Sequence, residues 1–437
     1  MRIGIFSDQY YPIVSGVVTS IKMLYEGLEK MGHKCFIFTS LDLEGLEDDP
    51  EIKNKDIINF DGIHYPFPAA KSYKFTFKTR KCVKIIKQYN LDIIHIQSEF
   101  SISKIARTAS KKLHIPIVHT MHTAWINYIC TLFPKTDKII HPFWVWVMKV
   151  LFTKPTYKAS TIEILPTKKI IPDLKDYGIV GDDFEIMPTG IELDRFIKEN
   201  FKEEDILKLK KDLDIENDFV FLFVGRTAPE KNIELLINGF AKAFKDTPNV
   251  KFLLVGGGPS LESLKKLAKD LEVDDKIIFT GLIDWKVVPI YYHLGNVFMN
   301  ASITETQGLT YIEALSSGLP NIVKNDPCID DVIIDGVNGY LFDNEEQFIE
   351  KIKYAFEHQD EIEKMKQNAL ESSSKFSKAE FAKHAYEIYE KAIEKYNNEH
   401  KKFDKKKNKW YNIKACIGKS KCSNGVIGSR DRLKIYF

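Results

Sequence analysis

Two glutamates in one segment have the type and spacing of a site that binds hydroxyl groups beside an anion. Glu305 and Glu313 lie in NASITETQGLTYIEALSSGLP, with seven residues between them. The residues TQGL between them predict the N-terminus of a helix, where backbone N–H groups and the helix dipole favour anions. Glu305 could accept hydrogen bonds from sugar hydroxyls, and Glu313 could accept them from a ribose diol. The alternative is a capping acid followed by a solvated helix glutamate.

Two basic residues mark a second loop. Arg226 follows the apolar run FVFLFVG, and Lys231 comes five residues later in TAPEKN. At the carboxyl edge of a parallel sheet, a guanidinium can contact two phosphate oxygens while an ammonium acts as a point charge. This pair suits a diphosphate. An Arg and a Lys beside a surface loop are also common, so the pair indicates a diphosphate site only in combination with the two glutamates.

Glycines follow two of the predicted strands. Gly16 in YPIVSGVV would let the backbone approach a phosphate closely. The segment contains no GxGxxG dinucleotide fingerprint, which makes an NAD-linked oxidoreductase remote. The run VGGGPS at 255–260 follows another strand. We interpret its glycines as tight packing between that strand and the next helix.

The elements that would position these residues alternate between strands and helices in both halves of the chain. In the first half, strands are predicted at RIGIF, KCFIFTS, LDIIHIQS and IPIVHTMHT, and in the second at FVFLFVGR, VKFLLVGGG, KIIFTG, VFMNAS and PNIVKN. Amphipathic helical segments separate them, which predicts parallel sheets with helices on both faces. The polar segment 194–217 suits a linker with a helix. Two Rossmann-like domains with a boundary near residue 200 follow.

The composition is that of a soluble globular protein. The chain has 437 residues, of which 44% are hydrophobic and 28% charged, and this excludes disordered, fibrous and polytopic membrane proteins. It has no apolar run of about 18 residues, and MRIGIFSDQYYP does not fit a signal peptide, so we expect the protein to stay inside the cell. The six cysteines show no CxxC or zinc-like spacing, so we expect free thiols and no metal site.

The net charge of +2 hides an asymmetry. Twelve basic and two acidic residues lie from position 401 onward, so this end carries +10 and the rest of the chain −8. A lysine-rich end on an acidic body favours attraction to anionic lipid or nucleic acid. A solvated tail is the alternative.

Taken together, these residues resemble the retaining glycosyltransferases of family 4, which have the GT-B fold. The resemblance covers about residues 1–390 and rests on four motifs in the family's order. They are the glycine loop, a histidine in IVHTMHTAW, the Arg–Lys pair and the two glutamates. The family has two Rossmann-like, doubly wound parallel-sheet domains that face each other across a cleft. The implied domains are an acceptor domain at 1–197, a nucleotide-sugar domain at 198–375, a returning helix at 376–400 and a basic tail at 401–437 that need not be ordered.

The resemblance also implies a role for each site residue. Arg226 and Lys231 would neutralise the donor diphosphate as it leaves, Glu313 would hold the ribose, and Glu305 would contact the sugar hydroxyls. Four residues would contact the sugar or the distal phosphate through their backbone: Gln307, Gly308, Leu309 and, from the other domain, Gly16. The expected catalytic residues are His122, Glu305, Arg226 and Lys231. We interpret the neighbouring His119 as structural.

One departure from the family pattern suggests the acceptor. Many relatives have Phe where this chain has Gln307, and ETQGLTYIEA is similar instead to a bacterial subgroup that glucosylates diacylglycerol. The resemblance therefore implies transfer of glucose from UDP-glucose to 1,2-diacylglycerol, giving a 3-alpha-glucosyl lipid. UDP-glucose is then a co-substrate, and the fold requires neither a bound cofactor nor a metal. Another lipid, a teichoic-type polymer or a soluble sugar are alternative acceptors, and galactose or another hexose is an alternative to glucose.

Two basic and aromatic stretches in the first half favour contact with an anionic membrane. KSYKFTFKTRKCVKIIK contains seven basic residues and no acid, and HPFWVWVMKVLFTKPTYK combines aromatic residues with lysines. Basic residues near anionic lipid contribute about 1 kcal/mol each, and aromatic side chains favour the headgroup level. A solvated helix and a buried core helix are the respective alternatives. The expected membrane or acceptor contacts are Lys71, Lys74, Lys78, Arg80, Lys81, Trp144 and Trp146.

The resemblance implies a retaining hexosyltransferase, and the basic and aromatic stretches predict that it lies peripherally on the inner face of the cell membrane. Front-side attack would keep the anomeric configuration, and the leaving diphosphate would help to take the acceptor proton. The expected partners are a UDP-sugar, diacylglycerol and anionic phospholipid. Nucleic acid is not expected, because no nucleic-acid-binding motif accompanies the basic stretches. A non-catalytic protein that binds nucleotide sugar or lipid is the alternative of a different class.

Overall fold

The computed structural model describes most of the chain as two α/β domains. The described backbone comprises residues 1–13, 15–64, 74–122, 146–147, 149–176, 179, 184–302, 305 and 307–420, and the described side chains are those up to 399, apart from 173 and 176. Each domain is built on one parallel sheet, as the alternation of strands and helices predicts.

The first domain has a parallel sheet of seven strands. The described strands of the whole domain, including two outside this sheet, are β1 (Arg2–Phe6), β2 (Lys34–Thr39), β3 (Ile57–Asn59), β4 (Ile63–His64), β5 (Lys74–Phe75), β6 (Ile93–Ile96), β7 (Ile117–Thr120), β8 (Ile162–Leu165) and β9 (Phe184–Ile186). The sheet order is β3-β2-β1-β6-β7-β8-β9, while β4 and β5 form a separate antiparallel pair. Its helices are α1 (Gly16–Lys30), α2 (Pro50–Lys53), α3 (Thr79–Lys87), α4 (Ser101–Leu113), α5 (Lys154–Ala159) and α6 (Ile171–Asp176).

The second domain repeats this plan with six parallel strands. They are β10 (Phe219–Val224), β11 (Val250–Val255), β12 (Ile277–Phe279), β13 (Val297–Asn300), β14 (Asn321–Lys324) and β15 (Gly339–Phe342), in the order β12-β11-β10-β13-β14-β15. All six residues of β10 are buried, because helices cover both faces of the sheet. The helices are α7 (Glu203–Asp212), α8 (Ile233–Phe244), α9 (Leu261–Asp270), α10 (Val288–Tyr292), α11 (Leu309–Ser316), α12 (Glu345–Glu357) and α13 (Gln359–Ser373).

The glycines after β11 pack differently from our prediction. A Cβ atom on Gly256 or Gly258 would overlap the carbonyl oxygens of Gly225 and Thr227, and both glycines have positive φ values of 136° and 159°. Their tight packing is therefore against the loop that follows the neighbouring strand β10, and not against the next helix. This close approach holds the loop that carries Arg226.

The chain crosses between the domains twice, at one place. Ile191 donates its N–H to the carbonyl oxygen of Phe376 at 2.9 Å, so the outgoing and returning segments lie side by side. The returning helix α14 (Lys378–Ser420) then packs against α1 and buries Phe381 and Tyr389 in the core of the first domain.

Helix α14 is longer than the sequence predicts. Residues 401–420 continue it, whereas we expected a separate tail from position 401. The physical reason is that the sequence contains no Gly or Pro from Lys378 to Ile417, so nothing ends the helix earlier. Residues 421–437 lie outside the described part of the chain.

Candidate active site

A lysine and a glutamate from neighbouring strands meet at the carboxyl edge of the second sheet. Lys231 lies in the turn Pro229–Lys231 after β10, and Glu305 follows β13, which is parallel to β10. Lys231 Nζ donates a hydrogen bond to Glu305 Oε1, and the two side chains are 20% and 17% exposed. Because this partly buried pair still reaches solvent, Lys231 can exchange its carboxylate partner for an incoming phosphate.

Arg226 lies on the same edge and is also paired. Its Nη2 donates to Glu230 Oε1, and 60% of the arginine side chain is exposed. An exposed pair of this kind contributes at most about 1 kcal/mol, so an anion of higher charge can displace the carboxylate at little cost. Both cations that the sequence singles out are thus present on adjoining parts of one loop.

The N-terminus of α11 lies directly after Glu305. Gly308 caps the helix with φ = 68°, and a Cβ at this position would overlap the ring of Tyr311. A glycine is therefore needed for the chain to turn into the helix here. The first backbone N–H groups of a helix have no partner inside it, and the dipole adds partial positive charge, so this end favours an anion.

Glu313 lies one turn further into α11 and is held by a tyrosine. Its Oε2 accepts a hydrogen bond from the hydroxyl of Tyr292 at 2.7 Å. Burial raises the pKa of Glu313, while the Tyr292 hydroxyl and the charge of Arg195 oppose that rise. The Tyr292 hydroxyl thus fixes the orientation of the carboxyl group on the helix that begins just after Glu305.

Gln307 is placed differently from its neighbours. Its side chain is buried and forms two hydrogen bonds of 2.8 Å with the backbone of Thr189. Because Thr189 follows β9 of the first domain, this contact joins the carboxyl edges of the two sheets. A second contact between these edges is the Lys169–Asp326 ion pair, at 2.7 Å.

His122 follows β7 on the carboxyl edge of the first sheet. Its Nε2 is 2.5 Å from Oε1 of Gln97, which follows the neighbouring strand β6. Burial, aided by the nearby charge of His119, lowers the pKa of His122 to about 3. The ring is therefore neutral near pH 7 and donates a hydrogen bond to Gln97.

Gly16 lies on the same edge of the first sheet, at the first position of α1. Ser15 caps this helix by accepting a hydrogen bond from the N–H of Val18 at 3.3 Å. Among the described residues, none has an atom within 4 Å of a Cβ added to Gly16.

The basic residues of the first domain that we predicted at the membrane differ in exposure and pairing, and the exposed Lys81 also forms an ion pair with Asp61 at 3.8 Å. Lys74 forms an ion pair with Asp42 at 3.0 Å and is only partly exposed. Lys78, Arg80 and Lys81 are exposed at the start of α3, whose opposite face is buried through Cys82, Val83 and Ile86. Trp146 is 55% exposed, so it does not belong to a buried core helix. Lys71 and Trp144 lie outside the described residues.

Two family models and several relatives match the chain. Residues 14–195 match the model described as Glycosyltransferase Family 4, and residues 205–372 match Glycosyl transferases group 1. The protein of Acholeplasma laidlawii named Alpha-monoglucosyldiacylglycerol synthase is 35% identical, over 93% of this chain and 100% of its own length. The chain belongs to glycosyltransferase family 4. The resemblance seen in the sequence is thereby confirmed.

Further relatives agree with this assignment. A Streptococcus pneumoniae protein of the same name is 37% identical to this family 4 glycosyltransferase, over 78% of this chain and 75% of its own. The crystal structure of HepE from Anabaena in complex with UDP-glucose has a TM-score of 0.65 at 17% identity, and covers 90% of this chain and 100% of that one. WaaG, a glycosyltransferase involved in lipopolysaccharide biosynthesis, gives 0.63 at 16%, over 89% and 99%. The two domains thus have the GT-B fold.

Several polar residues of this glycosyltransferase were not identified from the sequence. Gln97 bonds His122, and His95 contacts the hydroxyl groups of Thr120 and Tyr389, each at 2.7 Å. Their positions could have identified them, because a polar residue at the end of β6 must lie beside the end of the neighbouring strand β7. Among the described residues, no cluster of His, Cys, Asp and Glu is arranged to hold a metal ion.

Proposed function

We propose that this family 4 glycosyltransferase transfers glucose from UDP-glucose to 1,2-diacylglycerol and retains the anomeric configuration. The observation that carries the proposal is the contact between Lys231 and Glu305 beside the N-terminus of α11. A cation, a carboxylate and free backbone N–H groups in one place suit a sugar joined to a diphosphate. The names of the two relatives with 35% and 37% identity support diacylglycerol as the acceptor. HepE, crystallised with UDP-glucose, supports the donor.

Each residue of the site has a task in this proposal. Lys231 and Arg226 exchange their carboxylate partners for the diphosphate, and Glu313, fixed by Tyr292, accepts hydrogen bonds from the ribose. Glu305, released from Lys231, contacts hydroxyl groups of the sugar. Backbone N–H groups contact the sugar and the distal phosphate, and the residues that supply them are Gln307, Gly308, Leu309 and Gly16. His122, neutral and hydrogen-bonded to Gln97, lies beside the sugar.

The chemical step moves one bond and one proton. The acceptor oxygen forms a bond to the anomeric carbon on the face from which UDP departs, so the configuration is retained. The bond between that carbon and the phosphate oxygen breaks with its electron pair, and the acceptor proton passes to the departing phosphate. Lys231, Arg226 and the α11 N-terminus stabilise the developing negative charge, which makes electrostatic stabilisation the main contribution to catalysis. The step as proposed uses UDP-glucose as co-substrate and no bound cofactor or metal.

The acceptor domain would meet the lipid at a membrane surface. Lys78, Arg80 and Lys81 are exposed on α3, and Phe77 beside them is 68% exposed, so a basic and aromatic surface faces solvent. Such a surface binds anionic headgroups. The lysine-rich end from position 401 adds further positive charge. No helix in the described residues is long and apolar enough to span a bilayer. We propose peripheral binding at the cytoplasmic face.

Release of UDP from UDP-glucose tests this function. The purified protein is mixed with vesicles of neutral or anionic phospholipid, each with and without diacylglycerol. We expect release that depends on diacylglycerol and is faster on anionic vesicles. Replacing Glu305 with alanine should slow release by about 10²-fold, because the carboxylate that positions the hydroxyl groups of the sugar is lost.

Other outcomes separate the alternatives. Release that is indifferent to diacylglycerol would keep a glycosyltransferase but contradict the lipid acceptor. Release from another UDP-hexose in preference to UDP-glucose would contradict the sugar. No release from any UDP-sugar would leave a binding protein and contradict the catalytic roles.

A further inference from the structure

The side chain of Gln307 joins the donor loop, which contains Glu305, Gln307 and Gly308 just before α11, to the place where the chain crosses between the domains. Its Oε1 accepts a hydrogen bond from the N–H of Thr189, and its Nε2 donates one to the carbonyl oxygen of the same residue, both at 2.8 Å. Gln307 and Thr189 are 6% and 5% exposed. The amide group thus pairs with both the N–H and the C=O of one residue, as a residue of a neighbouring antiparallel strand would.

Thr189 belongs to a tightly held segment. The next residue, Gly190, packs so closely on Phe381 that a Cβ would meet its side chain at 2.5 Å. Ile191 forms a parallel bridge with Ser377, next to the Ile191–Phe376 hydrogen bond. The segment therefore moves with the start of α14, which is packed into the core of the first domain.

Gln307 is also the link to the chemistry. Glu305, which contacts Lys231, lies two residues before it, and Gly308, the N-cap of α11, follows it directly. A displacement of Gln307 must therefore move the carboxylate and the helix N-terminus that the proposed function assigns to the donor.

The two hydrogen bonds are costly to break. A buried amide donor or acceptor left without a partner costs about 1–3 kcal/mol, while each bond when formed contributes about 0.5–1.5 kcal/mol. Separation of the donor loop from the crossing would break both hydrogen bonds, so this free-energy cost would apply to each of them. Movement of one domain against the other will therefore carry the loop with the crossing instead of leaving it behind.

We infer that Gln307 is a positioning residue that ties the donor loop to the interdomain crossing at Thr189. Through this tie, Glu305 and the α11 N-terminus take their working positions only in the domain arrangement that Thr189 and α14 define. The inference rests on the proposed function for its catalytic consequence, whereas the tie itself can be measured without any turnover.

The test compares Gln307→Met with the wild type. Methionine keeps the length of the side chain and removes both hydrogen bonds. We expect kcat for sugar transfer to fall by about 10- to 100-fold and the affinity for UDP to fall by less, because Arg226 and Lys231 contact the diphosphate from outside the segment that Gln307 holds. Hydrogen exchange followed by mass spectrometry should show about tenfold faster exchange in peptides that contain Thr189 and in those that contain Leu309.

Two further variants serve as controls. Gln307→Glu keeps an acceptor for the Thr189 N–H but turns a carboxylate towards the Thr189 carbonyl oxygen, so it should also lose kcat. Lys169→Met removes a second contact between the two edges, the ion pair with Asp326, without touching the donor loop. It should keep kcat within about threefold, as a partly exposed pair contributes little.

Three results would overturn the inference. They are an unchanged exchange rate around Thr189 in Gln307→Met, an unchanged kcat, and a loss of UDP binding as large as the loss of kcat. A wild-type protein that transfers no sugar would instead contradict the proposed function, and the exchange experiment would still decide whether the tie exists.

Discussion

Replacing Lys231 with methionine should lower kcat for sugar transfer by about 10²–10³-fold. The ammonium group of Lys231 is the positive charge that meets Glu305 at the edge of the second sheet. In the proposed reaction it faces the diphosphate, where negative charge grows as the sugar leaves. The loss of one preorganised donor from such a site costs about 2.7–4 kcal/mol of transition-state stabilisation. Steady-state kinetics on diacylglycerol vesicles measures the effect.

A second lysine provides the matched control. Lys242 on α8 also forms an ion pair, with Glu345 at 2.7 Å, but its side chain is 62% exposed and lies outside the donor site. Lys242→Met should change kcat by less than about twofold. Lys231→Arg should recover part of the activity, because the charge returns with a different shape. A Lys231→Met enzyme that stays within tenfold of the wild type, with the control also unchanged, would remove Lys231 from the catalytic residues.

His119→Leu should produce the largest loss of stability, about 3–5 kcal/mol in the free energy of unfolding. The His119 side chain is fully buried in β7, with Nδ1 at 2.5 Å from Glu163 Oε1 and Nε2 at 3.6 Å from Glu99 Oε1. Removal of the imidazole leaves two buried carboxyl groups without their common partner. Urea unfolding followed by circular dichroism gives the difference. A loss below about 1 kcal/mol would contradict this structural role of His119.

The same variant should change the pH dependence of stability. Burial disfavours the charged imidazole, but Glu163 and Glu99 outweigh burial and the nearby Arg107, and they raise the pKa of His119 above 6.5. The stabilisation from its charge is therefore fully present below pH 6.5 and is lost as the pH rises through the higher value of the folded state. The difference between wild type and variant should be larger at about pH 6 than at about pH 9. Glu163→Gln, which keeps an acceptor for a neutral imidazole, should lose less stability at either pH.

The contact between Lys231 and Glu305 could be anticipated from the sequence. Strand prediction placed each residue just after a buried apolar run, and neighbouring parallel strands bring their carboxyl ends to one edge. The family resemblance added which residue types to expect there. Local pattern and sheet geometry were together sufficient for this part of the site.

Contacts between the domains could not be anticipated in this way. Gln307 and Thr189 are 118 positions apart, and neither hydrophobic periodicity nor turn chemistry relates them. The family resemblance implied a backbone role for Gln307 at the donor and no role for its side chain. The neutral state of His122 also depends on burial by the assembled domain, which a single sequence does not contain.

The two basic regions show what charge counting can predict and what it cannot. Charge counting found the exposed residues Lys78, Arg80 and Lys81, but it could not tell that Lys74 is paired with Asp42 from the segment after β2. At the other end, the lysine-rich composition suggested a separate tail, whereas the lack of Gly and Pro up to Ile417 was the better guide to the length of α14.

The identity of the lipid formed from UDP-glucose and diacylglycerol on anionic vesicles tests the proposed glucose transfer most directly. Mass spectrometry gives the number of hexoses added, and the coupling of the anomeric proton in the NMR spectrum gives the configuration of the linkage. We predict a diacylglycerol that carries one glucose in α linkage. A β-linked glucose would contradict retention, and the absence of any sugar on the lipid, with UDP still released, would contradict the acceptor.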